Sequence, residues 1–154
     1  MNLDQLDLKI LGILSENAKT PFLEIARICN VSGAAIHQHI QHLTNIGVIK
    51  GSVFLLEPSL IGYNTCAFIS VNLQPDADMA GIAEELKKIP EIVECHITSG
   101  KSSLLIKAYT ADNSSLLELL SGKINTISGI VSTDITISLK EEFARQIGIK
   151  TSGN

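Results

Sequence analysis

The chain is 154 residues long, 45% hydrophobic and 18% charged, with a formal net charge of −4. That length suits one ordinary domain or two small ones, and the apolar content excludes a disordered chain. The acidic total excludes a nonspecific coat for nucleic acid, but the charge is unevenly spread. Residues 1–51 hold four acids (Asp4, Asp7, Glu16, Glu24) and four bases (Lys9, Lys19, Arg27, Lys50), so residues 52–154 carry the whole negative excess. Cys29, Cys66 and Cys95 are odd in number and far apart, with no CxxC pair. They suit a reducing cytoplasm better than a disulfide framework. With no leader-like opening and no apolar run near about 18 residues, the expectation is a cytoplasmic protein without a membrane partner.

Asp4 is placed to cap a first helix whose Leu6, Ile10, Leu11 and Leu14 fall at helical spacing. Asn17 and the Lys19-Thr20-Pro21 turn end it. Thr20 is then expected to cap a second helix with Pro21 at its first position, where a missing N–H costs nothing. Leu23, Ile25, Ala26 and Ile28 are its expected buried side. Asn30, tolerant of left-handed backbone, stands where the chain must turn sharply. Ser32 caps a third helix with Ile36, Ile40 and Leu43 inward, and Gly47 ends it. Residues 1–51 thus read as a winged helix-turn-helix domain.

Residues 52–62 read as a strand-bearing linker, with strand character over Ser52–Glu57 before Pro58 and Gly62. From 63 to 140 the pattern is β-α-β-β-α-β. Its strands are Thr65–Leu73, Ile92–Thr98, Ser103–Thr110 and Ile130–Leu139, and its helices are Asp78–Ile89 and Asn113–Ile127. This order predicts an α+β chain whose second domain is ferredoxin-like. Two helices cover one face of such a sheet. Cys66 and Phe68 on the first strand, with Leu104 and Ile106 on the third, make two-sided strands, so the other face is expected to pack against a second copy in a homodimer. Residues 141–154 read as a short helix, Glu141–Ile147, and a loose polar tail, Lys150–Asn154.

A helix-turn-helix works because its second helix fits the major groove while the first fixes the angle of approach. It needs a small residue where the helices touch, a turn-tolerant residue four later and apolar residues inside the second helix. Ala26, Asn30, Ile36 and Ile40 meet that pattern. The outward positions Gly33, Ala34, Ala35, His37, Gln38, Gln41 and His42 are small or carry hydrogen-bonding groups. Gln can pair bidentately with adenine, and Ala can meet a thymine methyl. With Ser32, His39 and Lys50 they form the expected contact set for double-stranded DNA, and Lys9 and Lys19 are further candidates for phosphate. The competing reading is a plain three-helix packing unit with a polar face.

The chain resembles the leucine-responsive/asparagine-operon regulators (Lrp/AsnC, the feast/famine regulators) over nearly its whole length. The resemblance is carried by Leu6-Asp7-Leu8-Lys9-Ile10-Leu11, Glu24-Ile25-Ala26 and Val31-Ser32 with Ile36 and Ile40. It continues through Leu43, Gly47-Val48-Ile49-Lys50-Gly51, Glu57-Pro58 and Gly62. It implies a DNA-binding transcriptional regulator, and not an enzyme, whose second domain binds an effector, an amino acid or related small molecule, and builds dimers and octamers of four dimers. An assembly protein of the same fold that has lost specific DNA binding is the alternative.

Two departures from the family pattern matter. His39 and His42 stand where arginine is usual, exchanging a permanent bidentate cation for a titratable ring. This predicts weaker phosphate anchoring per monomer, or DNA binding that strengthens on acidification; the plainer reading, which is preferred, makes His39 a half-buried packing residue with no sensing role. The family's Gly-acid-Tyr-acid effector motif aligns with Gly100, Lys101, Ser102 and Ser103, which keep only the glycine. Ser132, Thr133 and Asp134 match the opposite side of that cleft. The implied effector set is therefore Ser99, Gly100, Lys101, Ser102, Ser103, Ser132, Thr133 and Asp134, with Lys101 favouring an anionic group.

Other chemistries find no support. Gly100-Lys101-Ser102 imitates the end of a phosphate-binding loop, but the position of its first glycine is Cys95 and a strand follows instead of a helix. Cys95 and His96 point to opposite faces of a strand, and His39 and His42 have nothing placed to complete four ligands, so no metal and no other cofactor is expected. No nucleophile–base motif is present, and no catalytic residue is assigned.

Overall fold

The computed structural model describes residues 3–149, and the tail expected from Lys150 lies outside them. By internal contacts the chain divides into two units: Leu56–Glu142 form one, and the other holds the first three helices.

In the first unit α1 spans Gln5–Glu16, α2 Phe22–Cys29 and α3 Gly33–Asn45. Asp4 caps α1 in a reciprocal box: its Oδ1 accepts from the Asp7 N–H, and the Asp7 Oδ2 accepts from the Asp4 N–H. The cap of α2 differs from expectation. Pro21 itself is the capping position, without a side-chain bond, and the Thr20 hydroxyl donates backwards to the Asn17 carbonyl. The inward side of α2 differs too. Ile25 and Ala26 are buried, and Phe22 and Cys29 pack beside them, whereas Leu23 and Ile28 are exposed. An eight-residue helix has room for one narrow stripe, and Leu23 and Ile28 fall outside it.

Asn30 is left-handed, with φ 56°, and the Val31 N–H reaches back to the Ala26 carbonyl to close the turn. Ser32 then caps α3 through the Ala35 N–H. Ile36 and Leu43 are fully buried, and Ile40 packs at the edge of the cluster formed by Ile10, Ile25, Ala26 and Ile36. Gly47, at φ 78°, lets the Val48 and Ile49 N–H groups fold onto the Leu43 carbonyl.

The strand expected at Ser52–Glu57 does not form. Val53, Phe54, Leu55 and Leu56 are exposed, and this lone extended segment has no ladder partner among the described residues. A 3-10 turn, Pro58–Ile61, follows. Glu141–Ile147 also carries no helix. Seven residues cannot hold a helix without a packed face, and Phe143 and Ile147 are exposed.

In the second unit β1 (Thr65–Leu73), β2 (Ile92–Ile97), β3 (Leu104–Thr110) and β4 (Ile130–Ser138) form one antiparallel sheet in the order β2-β3-β1-β4. Helices α4 (Met79–Lys87) and α5 (Asn113–Leu119) connect them. This is the ferredoxin-like arrangement. The helical stretch after Asn113 tightens into a π-helical turn, Leu120–Ile124, in which the Asn125 N–H bonds the carbonyl five residues back. Gly129, at φ 93°, opens β4 against Ile82 and Ala77, where an added Cβ would lie 3.0 and 3.2 Å from their side chains.

Ala67, Ile69 and Val71 of β1 and Leu104, Ile106 and Ala108 of β3 lie on the helix-covered face and are fully buried against Ile82, Leu86, Leu116 and Ile124. Leu104 and Ile106 therefore belong to the core, not to the open face. Register puts Cys66 opposite Tyr109, Phe68 opposite Lys107 and Ser70 opposite Leu105 on that open face. Alternation alone shows that a strand has two faces; the pairing decides which is which.

Candidate functional site

The α1–α3 unit presents α3 with its outward residues free. Ser32, Ala34, His37, Gln38, Gln41 and His42 are exposed, and Gly33 and Ala35 are half-buried where the helix begins. Gly33 lies under Leu23, whose Cδ2 would be 3.3 Å from an added Cβ, so α2 and α3 approach closely there. The His37 ring meets Phe22 edge-on, with centroids 4.7 Å apart. Lys50 is exposed just beyond the Gly47 turn. The arrangement is a short helix–turn–helix with a hydrogen-bonding outer row that holds no lysine or arginine.

His39 is the exception. It is half-buried, and its Nδ1 lies 2.7 Å from Oδ1 of Asp7, a residue 4% exposed on α1. It is not a free DNA-facing donor. The half-buried placement agrees with the plainer of the two readings, but the residue bonds rather than merely packs. Asp7 was not among the expected functional residues. The Asp4-x-x-Asp7 spacing was the available signal for its capping role, whereas its bond to His39 spans 32 residues of sequence. The ligand atoms of Asp4, Asp7 and His39 lie within 4.8 Å of one another, but all three are engaged in the capping box and its bond to His39.

Two of the expected phosphate lysines also have internal partners. The Lys9 ammonium donates to the Ile28 carbonyl at 2.9 Å, satisfying the C-terminal end of α2, and the Lys19 ammonium sits 4.6 Å above the Phe54 ring.

Burial works to raise the Asp7 carboxyl pKa, but hydrogen bonds from His39 and the Asp4 N–H, with the His39 and His42 charges, outweigh it and hold it below the usual 3.8. A depressed folded value means that the ionised form stabilises this unit above the unfolded value and that the contribution is lost as pH falls through the folded value. Asp7→Asn should therefore remove part of the acid sensitivity of the helical unit below about pH 4. Circular dichroism during acid titration checks this; an identical acid transition in the variant would contradict it.

The expected effector residues gather at one end of the sheet, on both sides of the end of β1. The Ser103 N–H bonds the Val71 carbonyl at 3.0 Å, and its hydroxyl accepts from the Leu73 N–H at 3.3 Å. Across β1, the Asn72 amide donates to Ser132 at 3.0 Å and to Asp134 at 3.4 Å. Thr133 points to the other face and bonds Asn125. Ser99, Gly100 and Lys101 are exposed on the β2–β3 loop, and Ser102 is half-buried. Asn72 joins this group, and its place beside β4 was not legible from its own strand. A separate cavity of about 360 Å³, lined by Tyr63, Glu91, Thr110, Ser115 and Lys123, includes none of these residues.

The open sheet face centres on Lys107. Its side chain is only 14% exposed and its ammonium lies near Phe68, Tyr109, Glu94 and Glu141. Among the described residues, no helix is long and apolar enough to cross a membrane.

Comparison with known proteins adds two family matches: a winged helix-turn-helix DNA-binding family over residues 3–50, and the Lrp/AsnC ligand binding domain over residues 66–147. The regulatory protein AsnC of Haemophilus influenzae is 34% identical over 95% of this chain and 97% of its own. The solved structure of Escherichia coli AsnC is 31% identical and superposes with a TM-score of 0.86 over 96% of this chain and 99% of that one. A Neisseria meningitidis transcriptional regulator solved as an L-Met complex is 23% identical, with a TM-score of 0.85 over 94% of each chain, and shares the fold.

Proposed function

The chain belongs to the Lrp/AsnC family of DNA-binding transcriptional regulators, and from that premise we propose that α3 reads base edges through Gln38, Gln41 and His42, with Ala34 meeting a thymine methyl. Ser32, Gly33, Ala35 and His37 line the approach, and Lys50 contacts phosphate. The carrying observation is the exposed, amide-rich outer row of α3 on a helix whose inner row is locked by Ile36 and Leu43. A two-fold dimer would set two such helices in successive major grooves, about 34 Å apart.

Oligomerisation belongs to the second unit, through the open sheet face around Phe68, Lys107 and Tyr109; four such dimers would close an octamer. The effector is a small molecule bound at the Ser99–Ser103 and Ser132–Asp134 end. The L-Met complex of the Neisseria neighbour makes an amino acid the first class to test, and Lys101 favours one carrying an extra carboxylate. The protein would work in the cytoplasm, where operator DNA and amino-acid pools meet.

Selecting bound sites from random DNA, with and without a panel of amino acids and alongside oligomer mass, tests these assignments together. A partly palindromic motif whose enrichment changes with one amino acid is the expected result. Robust oligomers with no enriched motif would favour the assembly-protein reading, which the inward engagement of Lys9, Lys19 and His39 makes worth separating.

A further inference from the structure

The Asp7–His39 pair joins the brace helix α1 to the middle of the proposed reading helix, and its chemistry differs from that of a fixed ion pair. An ionised carboxylate only accepts hydrogen bonds, so the His39 Nδ1 at 2.7 Å must carry the hydrogen. The other Asp7 oxygen is already taken by the Asp4 N–H. The ring is thereby fixed in one tautomer, and Nε2 is the atom that takes up a proton; among the described residues it has no hydrogen-bond partner. The titratable groups facing the pair are Asp4, which caps α1, and His42, one turn along α3.

We infer that Asp7 and His39 form a proton-dependent positioning pair for DNA binding: His39 ties α3 to α1 through Nδ1, and protonation at Nε2 turns that hydrogen bond into an ion pair and adds a positive charge to the reading helix. This rests on α3 being the DNA-reading helix. His39 is a positioning residue here, since it acts through Asp7 and α3. In the neutral state the bond to Asp7 survives, but the buried carboxylate stays uncompensated beside a helix that must approach a polyanion. In the protonated state the pair is neutral as a unit and the bond is charge-assisted, about twice as strong as its neutral counterpart. An arginine at this position would supply both effects at every pH, so the histidine is what introduces the proton dependence.

The test is a double-mutant cycle on the full-length protein, using Asp7→Asn and His39→Gln, with affinity for the selected operator read at about pH 6 and about pH 8. His37 is present in all four proteins, and because His42 acts on Asp7 the cycle is repeated in a His42→Gln background. The expected coupling in affinity is about fivefold larger at the lower pH than at the higher, the difference between a charge-assisted and a neutral bond. His39→Arg, which keeps the bond and the charge and does not depend on Asp7→Asn folding, should bind with a visibly flatter pH profile than the wild type. Equal coupling at both pH values, or an unchanged profile in His39→Arg, would reduce the pair to a plain structural tether and overturn the inference. Absence of sequence-preferring binding by the wild type at either pH would instead overturn the reading-helix assignment beneath it.

Discussion

Gln38→Ala and Gln41→Ala should each lower affinity for the preferred operator by about 1–3 kcal/mol, roughly 5- to 150-fold, while affinity for random-sequence DNA stays nearly level. Both side chains are exposed on α3, and neither takes part in packing or capping, so truncation leaves the fold intact. A glutamine amide carries no charge, and the nonspecific term is set by phosphate neutralisation. The specific and nonspecific affinities should therefore separate. Competition titrations with operator and scrambled duplexes at one salt concentration measure the difference. Equal losses on both duplexes would show that another surface reads the bases.

The elements whose signal is local were legible before the fold. Asn30 stood out as the turn because few residues accept a left-handed backbone, and it has φ 56°. Ser32, Ile36 and Gly47 marked the beginning, inner row and end of α3 for equally local reasons. The strands of the second unit were legible by alternation, and the order of elements then left few topologies to choose from.

What failed depended on partners distant in sequence. Val53, Phe54, Leu55 and Leu56 have the composition of a strand, yet a strand exists only with a neighbour to bond, and none lies beside them among the described residues. Leu104 and Ile106 were placed on the open face because period two gives parity but not its sign; pairing with Val71 and Ile69 supplies the sign. The functional site shows the same division. The outer row of α3 follows from helical geometry, whereas the engagement of His39 by Asp7, of Lys9 by Ile28 and of Lys19 by Phe54 is tertiary. Each of these removes a basic or titratable group that sequence reasoning had left facing DNA. What remains on α3 is mostly amide and imidazole, which selects bases but holds phosphate weakly. Useful affinity then requires two copies of the helix presented together, which is what the proposed assembly through the second unit would supply.

Unequal cores should make the two units fail separately, and Ile36→Ala is the substitution that shows it. The helical unit is centred on four buried residues, Ile10, Ile25, Ala26 and Ile36, whereas the second unit buries thirteen in one cluster. Removing a fully buried isoleucine side chain costs about 2–5 kcal/mol. At roughly 0.05–0.15 kcal/mol per residue, a helical unit of about 50 residues has about 2.5–7.5 kcal/mol in all. The loss is thus comparable with the whole, and operator binding should collapse at ambient temperature while the sheet unit stays folded and oligomeric. The matched change in the other core, Ile69→Ala, should lower the melting of the sheet unit and disturb assembly first. Circular dichroism melting, operator titration and sedimentation on the two variants separate these outcomes. A single shared transition, shifted equally by both substitutions, would mean that the units unfold as one and that the α3 scaffold draws its stability from the rest of the chain.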